Sequence, residues 1–179
     1  MPAIFTASDL GERCAAIELL VLDVDGVMTD GSIQFDDHGA ETKTFFVRDG
    51  TALVLWHKAG KQTAILSGRR AATVERRAAE LRIAHVEQGL ADKGPALVAL
   101  LREQRLSAHQ VCAIGDDLAD LPVLRLANLA ACPGDAVPEV RAVAHLVTAA
   151  PGGRGTVREV EETIHKAQGH WDDLVSTYT

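Results

Sequence analysis

Two short stretches place carboxylates directly behind apolar runs. In LLVLDVDGVMTDG, residues 19–31, the acids are Asp23, Asp25 and Asp30, and in AIGDDLADLP, residues 113–122, they are Asp116, Asp117 and Asp120. Asp23 and Asp25 stand two residues apart, which in a regular strand points both to one face, and Gly26 lets the backbone turn sharply after them. If the two apolar runs are neighbouring strands, several anionic oxygens converge, and at partly buried positions they are costly to leave unpaired. A divalent cation is the simplest remedy. All-oxygen ligation next to a phosphate suits Mg²⁺, and the lack of a Cys/His ligand set argues against zinc. For either cluster alone, the competing reading is an Asp that caps a helix or makes a turn.

Two features bear on that choice. Lys93 follows Asp92, a candidate helix cap, and Arg69 and Arg70 follow Ser67-Gly68 in the same way. The positive end of a helix dipole disfavours a cation, so an anionic ligand accounts for both positions, although a solvated lysine or arginine tolerates either at little cost.

The elements that must position these residues are legible as an alternation. Strand-like apolar runs recur at 19–24, 62–66, 83–86, 111–114, 128–132 and 145–148. Between most of them lie segments of helical period, at 50–59, 70–81, 93–105, 117–126 and 153–168. For the first, Asp49 is the candidate N-cap, Leu53, Leu55 and Trp56 form an apolar stripe suited to the core, and Gly60 is the stop. Such alternation predicts an α/β, Rossmann-like three-layer sandwich with a mainly parallel sheet, its ligand site at the carboxyl ends of the strands. Residues 33–47 break the pattern. Two β-rich arms there flank Asp36-Asp37-His38-Gly39, a hairpin signal, and the segment is expected to be a flap beside the first acidic loop. The expectation is one domain over 1–179 with no inserted cap, ending in a glycine-rich tail and helix at 151–179.

Composition narrows the function. A formal charge of −7 argues against a general nucleic-acid binder, and 47% hydrophobic with 4% aromatic residues suits a core of aliphatic side chains. No uncharged run approaches the roughly 20 residues that span a bilayer. Cys14, Cys112 and Cys132 lack metal-ligand spacing and the Met1 end lacks a secretory signal, so a reducing cytoplasm is expected. The seven histidines are scattered and read as surface or structural, with His85 the one that stands near a site motif.

With these residues in view, the chain resembles the haloacid-dehalogenase-like phosphatase superfamily, whose four motifs appear in order as DVDGVMTDG, ILSGR, Lys93 and GDDLAD. The resemblance implies that Asp23 is the nucleophile forming an aspartyl phosphate and that Asp25 protonates the leaving alcohol and then activates water. It further implies that Asp23, the Asp25 carbonyl and Asp116 hold Mg²⁺, with Asp117 and Asp120 behind them, while Ser67 and Lys93 bind phosphoryl oxygens. Gly68 and Arg69 belong to the same phosphate-binding motif. A narrower resemblance covers about residues 19–170. The capless 3-deoxy-D-manno-octulosonate 8-phosphate phosphatases are similar in VRDG (47–50), Arg77 after SGR, IAH, QG before Lys93, GDDLADLPVL and GGRGTVREV (152–160). Two departures are small: Ser67 stands where Thr is frequent, and Arg82 where Gly often precedes the third strand. This family implies hydrolysis of an eight-carbon sugar acid phosphate for lipopolysaccharide, a homotetramer assembled partly through the hairpin, and a glycine-rich tail reaching a neighbouring active site. In it Arg77 and Arg154 are candidates for substrate recognition. The alternatives are a nine-carbon keto-sugar acid phosphatase and a phosphatase-like interaction domain without turnover; intact Asp23, Asp25, Lys93 and Asp116 count against the latter.

Overall fold

The computed structural model describes residues 7–178. In chain order the elements begin with α1 (Ala7–Ala15), β1 (Leu19–Leu22), the hairpin strands β2 (Gln34–Phe35) and β3 (Glu41–Thr42), and α2 (Val47–Lys58). They continue with β4 (Gln62–Ser67), α3 (Ala72–Glu80), β5 (His85–Gln88), α4 (Lys93–Gln104) and β6 (Val111–Ile114). The last are α5 (Leu121–Leu126), β7 (Leu129–Cys132), α6 (Pro138–Arg141), β8 (Leu146–Val147), α7 (Thr156–Ala167) and α8 (Trp171–Ser176).

Six strands form one parallel sheet in the order β5-β4-β1-β6-β7-β8. β1 shows why it lies in the middle: all four of its residues are buried, so both faces must be covered. Leu20 and Leu22 face one layer with Trp56 of α2, Val74 of α3 and Ile164 of α7, while Leu19 and Val21 face the other with Leu97 of α4 and Val123 of α5. The result is the expected three-layer sandwich. Chain order reverses on either side of β1, which leaves a crevice at its carboxyl end. Register then brings the acids together. Leu22 lies beside both Ile65 and Ile114, so the residues that follow in β1, β4 and β6 emerge side by side.

The hairpin forms as predicted, with strands only two residues long. Asp36 builds its turn, its Oδ1 accepting the backbone N–H of His38 and of Ala40 at 2.9 and 2.8 Å.

Two predictions about local structure need correction, and a third gains detail. First, α2 starts at Val47 with Phe46 at the N-cap, so Asp49 lies inside the first turn. Its buried carboxylate instead accepts the N–H of Gly155 at 3.1 Å and of Arg158 at 2.9 Å, capping α7 from another element. Burial raises the proton affinity of Asp49 above the ordinary carboxylate value in spite of these bonds. Secondly, the glycine-rich segment and helix of residues 151–178 are packed into the fold, with Val157, Val160 and Ile164 of α7 fully buried in the core beside Trp56. Thirdly, β5 begins at His85 rather than at residue 83, since Arg82 takes a left-handed conformation (φ 58°) that ends the preceding helical turn where a glycine is easier to place. Helices α1, α6 and α8 lie outside the segments of helical period read from the sequence.

Candidate active site

The carboxyl edge of the sheet holds a cleft of about 320 Å³. Asp23 and Asp25 enter it from the loop after β1, Ser67, Gly68 and Arg69 from the end of β4, Lys93 from the start of α4, and Asp116, Asp117 and Asp120 from the loop after β6. Nine of the predicted site residues thus meet in one place. Asp30 does not join them: it is exposed, with its Oδ1 accepting the Ser32 N–H at 3.0 Å in a local turn.

β1 stops at Leu22, so Asp23 and Asp25 are not on a regular strand and the period-two argument for a shared face does not apply. Asp23 still extends the ladder by one bond, its N–H donating to the Ile114 carbonyl at 3.0 Å. After it the chain curls, and the carbonyl of Val24 accepts the N–H groups of Met28 and Thr29 at 2.9 and 3.0 Å. Gly26 has φ 92°, and a Cβ there would lie 2.0 Å from Asp116 Oδ2. Glycine at this position therefore serves the turn and also the close approach of the second acidic loop.

Lys93 is only 3% exposed and its Nζ lies 2.6 Å from both Asp23 Oδ1 and Asp120 Oδ1. Those two carboxylates, more than the helix cap, explain a cation at a helix start. Asp92 does cap α4, accepting the Gly94 N–H at 2.9 Å. Burial alone would lower the proton affinity of Lys93, but Asp23 and Asp120 outweigh it and the ammonium is held above its ordinary range. Asp120 is buried and fully used: its Oδ2 accepts the N–H of Asp116 at 3.0 Å and of Asp117 at 3.3 Å, which fixes the second acidic loop. Asp117 caps the one-turn helix Leu118–Asp120 through the Leu118 N–H at 2.7 Å.

Carboxylate oxygens of Asp23, Asp116 and Asp120 lie within 4.8 Å of one another. Three carboxylates against the one ammonium of Lys93 leave two negative charges, the charge a divalent cation neutralises. Burial and the neighbouring Asp120 push Asp23 up to about 6, and burial with Asp23, Asp120 and Asp117 pushes Asp116 up to about 7. Asp116 Oδ1 is moreover buried with no hydrogen-bond partner. An oxygen-only donor set, an excess negative charge and an orphaned buried oxygen fit Mg²⁺.

Asp25 has partners that sequence reasoning missed. Its carboxylate contacts Lys43 Nζ and lies 3.8 Å from Arg69 Nε. Glu41 closes the group, with one oxygen 2.9 Å from Lys43 Nζ and the other 3.1 Å from Arg69 Nη2. A signal was available: Glu41 and Lys43 alternate in the second hairpin arm, which puts both on one face.

A family model for haloacid dehalogenase-like hydrolases matches residues 82–155. A Yersinia pestis protein named 3-deoxy-D-manno-octulosonate 8-phosphate phosphatase KdsC is 44% identical over 162 residues, covering 90% of this chain and 87% of that protein. The chain belongs to the 3-deoxy-D-manno-octulosonate 8-phosphate phosphatase family. Among solved structures, the enzyme of that name from Moraxella catarrhalis, in complex with magnesium ion, phosphate ion and KDO, is 38% identical with a TM-score of 0.95, covering 97% of this chain and 100% of that one. A probable YrbI family phosphatase from Pseudomonas syringae pv. phaseolica is 46% identical with a TM-score of 0.94, covering 96% and 98%.

Within this family fold, three nominated residues lie outside the cleft of their own chain. Arg77 of α3 pairs with Glu80 at 2.9 Å, stacks over Phe45 at 5.7 Å and lies against Gly50. His85 sits at the amino end of β5, opposite the acids, in a cavity with Gln62 and Arg82. Arg154 has a side chain 60% exposed, 4.0 Å from Asp30. The glycines beside Arg154 do something a linker does not. Gly153 donates its N–H to the Val27 carbonyl at 2.9 Å, and a Cβ on Gly152 would lie 1.9 Å from the Gly26 carbonyl oxygen. The segment is a brace laid backbone to backbone on the first acidic loop. Gly152→Ala should therefore cost about 1–3 kcal/mol of stability and lower kcat by displacing that loop. Gly11→Ala, where nothing lies within 4 Å of the new methyl, is the control; equal denaturation midpoints and rates for the two variants would contradict the brace.

Proposed function

We propose that this protein hydrolyses 3-deoxy-D-manno-octulosonate 8-phosphate to 3-deoxy-D-manno-octulosonate and phosphate, supplying the inner-core sugar of lipopolysaccharide. The observation that carries this reading is the meeting of Asp23, Ser67, Lys93 and Asp116 in one open cleft, in a chain of this family. Asp23 attacks phosphorus; the bond from phosphorus to the sugar oxygen breaks as the Asp23–phosphorus bond forms. Asp25 gives a proton to the departing sugar oxygen, then removes one from the water that attacks the aspartyl phosphate and restores Asp23. Ser67 and Lys93 donate to the phosphoryl oxygens, and Asp120 keeps Lys93 aimed at Asp23. Asp23 and Asp116 would hold Mg²⁺ with the Asp25 carbonyl, while the Asp25 side chain faces Lys43 and Arg69. When bound, the ion supplies positive charge that offsets the phosphoryl group.

Around the site, the reading includes a homotetramer and work in the cytoplasm. Ile33, Phe35 and Val47 on and beside the hairpin are exposed apolar side chains, which supports assembly through that flap. In such an assembly Arg154 and Arg77 are the cations available to a substrate carboxylate or phosphate from a neighbouring subunit. All three cysteines are free and buried, as suits a reducing compartment. Among the described residues no helix is long and apolar enough to cross a membrane.

The test is phosphate release from the sugar acid phosphate by metal-stripped and reloaded protein. Chelation should stop the reaction, Mg²⁺ should restore it, and Ca²⁺ should inhibit because its larger, looser coordination sphere misplaces the phosphoryl group. Full activity of the stripped protein contradicts the proposal.

A further inference from the structure

Lys43 is an unexpected residue in its setting. The hairpin around it is exposed, from Ile33 through Ala40, yet the Lys43 side chain is 1% exposed. A lysine is buried at that level only when its charge is matched. Here the match is a ring of alternating charges: Asp25 to Lys43, Lys43 to Glu41 at 2.9 Å, Glu41 to Arg69 at 3.1 Å, and Arg69 back to Asp25 at 3.8 Å. The ring ties together three segments distant in sequence: the loop after β1, the second hairpin arm and the loop after β4. Oδ1 of Asp25 is bonded to Lys43, while Oδ2 lies 3.8 Å from Arg69 Nε, beyond hydrogen-bond distance, and is left for proton exchange.

The orientation of Asp25 is thus set from the hairpin. Among the described residues its own loop places no hydrogen-bond donor on that carboxylate, and Gly26 turns the chain sharply after it. Proton transfer needs the carboxyl oxygen within hydrogen-bond reach of the leaving oxygen, and a displacement of about 1 Å can cost roughly 10²-fold. We infer that Lys43 and Glu41 are positioning residues: through the charge ring, the hairpin holds the Asp25 carboxyl where it can exchange a proton with the leaving alcohol. The flap is then part of the proton-transfer apparatus as well as a neighbour of the cleft. This inference rests on the proposed role of Asp25, and the experiment separates the two.

The measurement compares two substrates, the sugar acid phosphate, whose alkoxide needs a proton to leave, and p-nitrophenyl phosphate, whose phenolate does not. Lys43→Met should lower kcat on the sugar phosphate by about 10- to 100-fold with KM within about threefold, and lower kcat on p-nitrophenyl phosphate by less than about threefold. Lys43→Arg should recover most of the loss. Glu41→Gln, which keeps the Lys43–Asp25 contact, should show the same selectivity at smaller size and serves if Lys43→Met fails to fold. Asp25→Asn should show the leaving-group selectivity more strongly, and adding Lys43→Met to it should change little. If Asp25→Asn slows both substrates equally, the role of Asp25 is wrong and the inference falls with it. If Asp25→Asn is selective while Lys43→Met and Glu41→Gln are unaffected, or slow both substrates alike, Asp25 keeps its role and the positioning inference alone is overturned.

Discussion

Asp23→Asn should fold as well as the parent and lose turnover by at least about 10⁴-fold, because an amide of nearly the same shape cannot form the acyl phosphate. The structure adds a second expectation. Asp23 is held at a proton affinity of about 6 by burial and by the negative charge of Asp120, so the parent carboxylate is strained by its surroundings at neutral pH. Neutral asparagine relieves that repulsion while keeping an oxygen 2.6 Å from Lys93, within ordinary hydrogen-bond range. The variant should therefore melt at the same temperature as the parent or higher. Activity within tenfold of the parent would remove Asp23 from the nucleophile role, and a collapse in melting temperature would show that the carboxylate is there for stability.

Lys93→Met should damage both stability and rate. The side chain is buried between two carboxylates, and removing one partner of a buried ionic group commonly costs about 3–5 kcal/mol because the remaining charges are left uncompensated. Asp23, Asp120 and Asp116 then face one another with no cation, so the denaturation midpoint should drop steeply and rise again as Mg²⁺ is added, through binding to the folded state alone. The rate should fall by about 10²- to 10³-fold with Mg²⁺ saturating, the usual loss of one donor to a developing charge. Adding Asp120→Asn to Lys93→Met should return part of the lost stability, since it removes one of the stranded charges, but none of the rate. Unchanged midpoints in Lys93→Met would mean that the ion pairs contribute nothing, and an unchanged rate would exclude Lys93 from the phosphoryl site.

What the sequence made legible was whatever lies within one strand-turn-helix unit. The apolar runs before Asp23 and Asp116, the Asp92 cap and the glycine after Asp25 are local statements, and the parallel order that brings them together follows from alternation. The misses join segments far apart in the chain. Asp49 looked like the cap of the helix it belongs to, but its carboxylate reaches the N-terminus of α7, more than a hundred residues on. Gly152 and Gly153 read as part of a glycine-rich tail because their packing partner, the Gly26–Asp30 loop, is equally remote. The alternation of Glu41 and Lys43 puts both on one face of the hairpin arm, but nothing nearby in sequence shows that this face turns inward to Asp25 and Arg69. The site's first acids were readable from their own neighbourhoods; the groups that hold them in place were not.

The central claim is hydrolysis of the eight-carbon sugar acid phosphate at the Asp23 cleft, and its most direct test is kcat/KM for phosphate release across a matched panel with Mg²⁺. The panel contains 3-deoxy-D-manno-octulosonate 8-phosphate, a nine-carbon keto-sugar acid 9-phosphate and neutral hexose phosphates, each assayed with the parent and with Asp23→Asn. The eight-carbon acid should be preferred by at least about tenfold, one pKa-sized increment of about 1.4 kcal/mol in transition-state binding, with every rate lost in Asp23→Asn. Preference for the nine-carbon acid or a neutral sugar, or phosphate release that survives Asp23→Asn, would contradict the account.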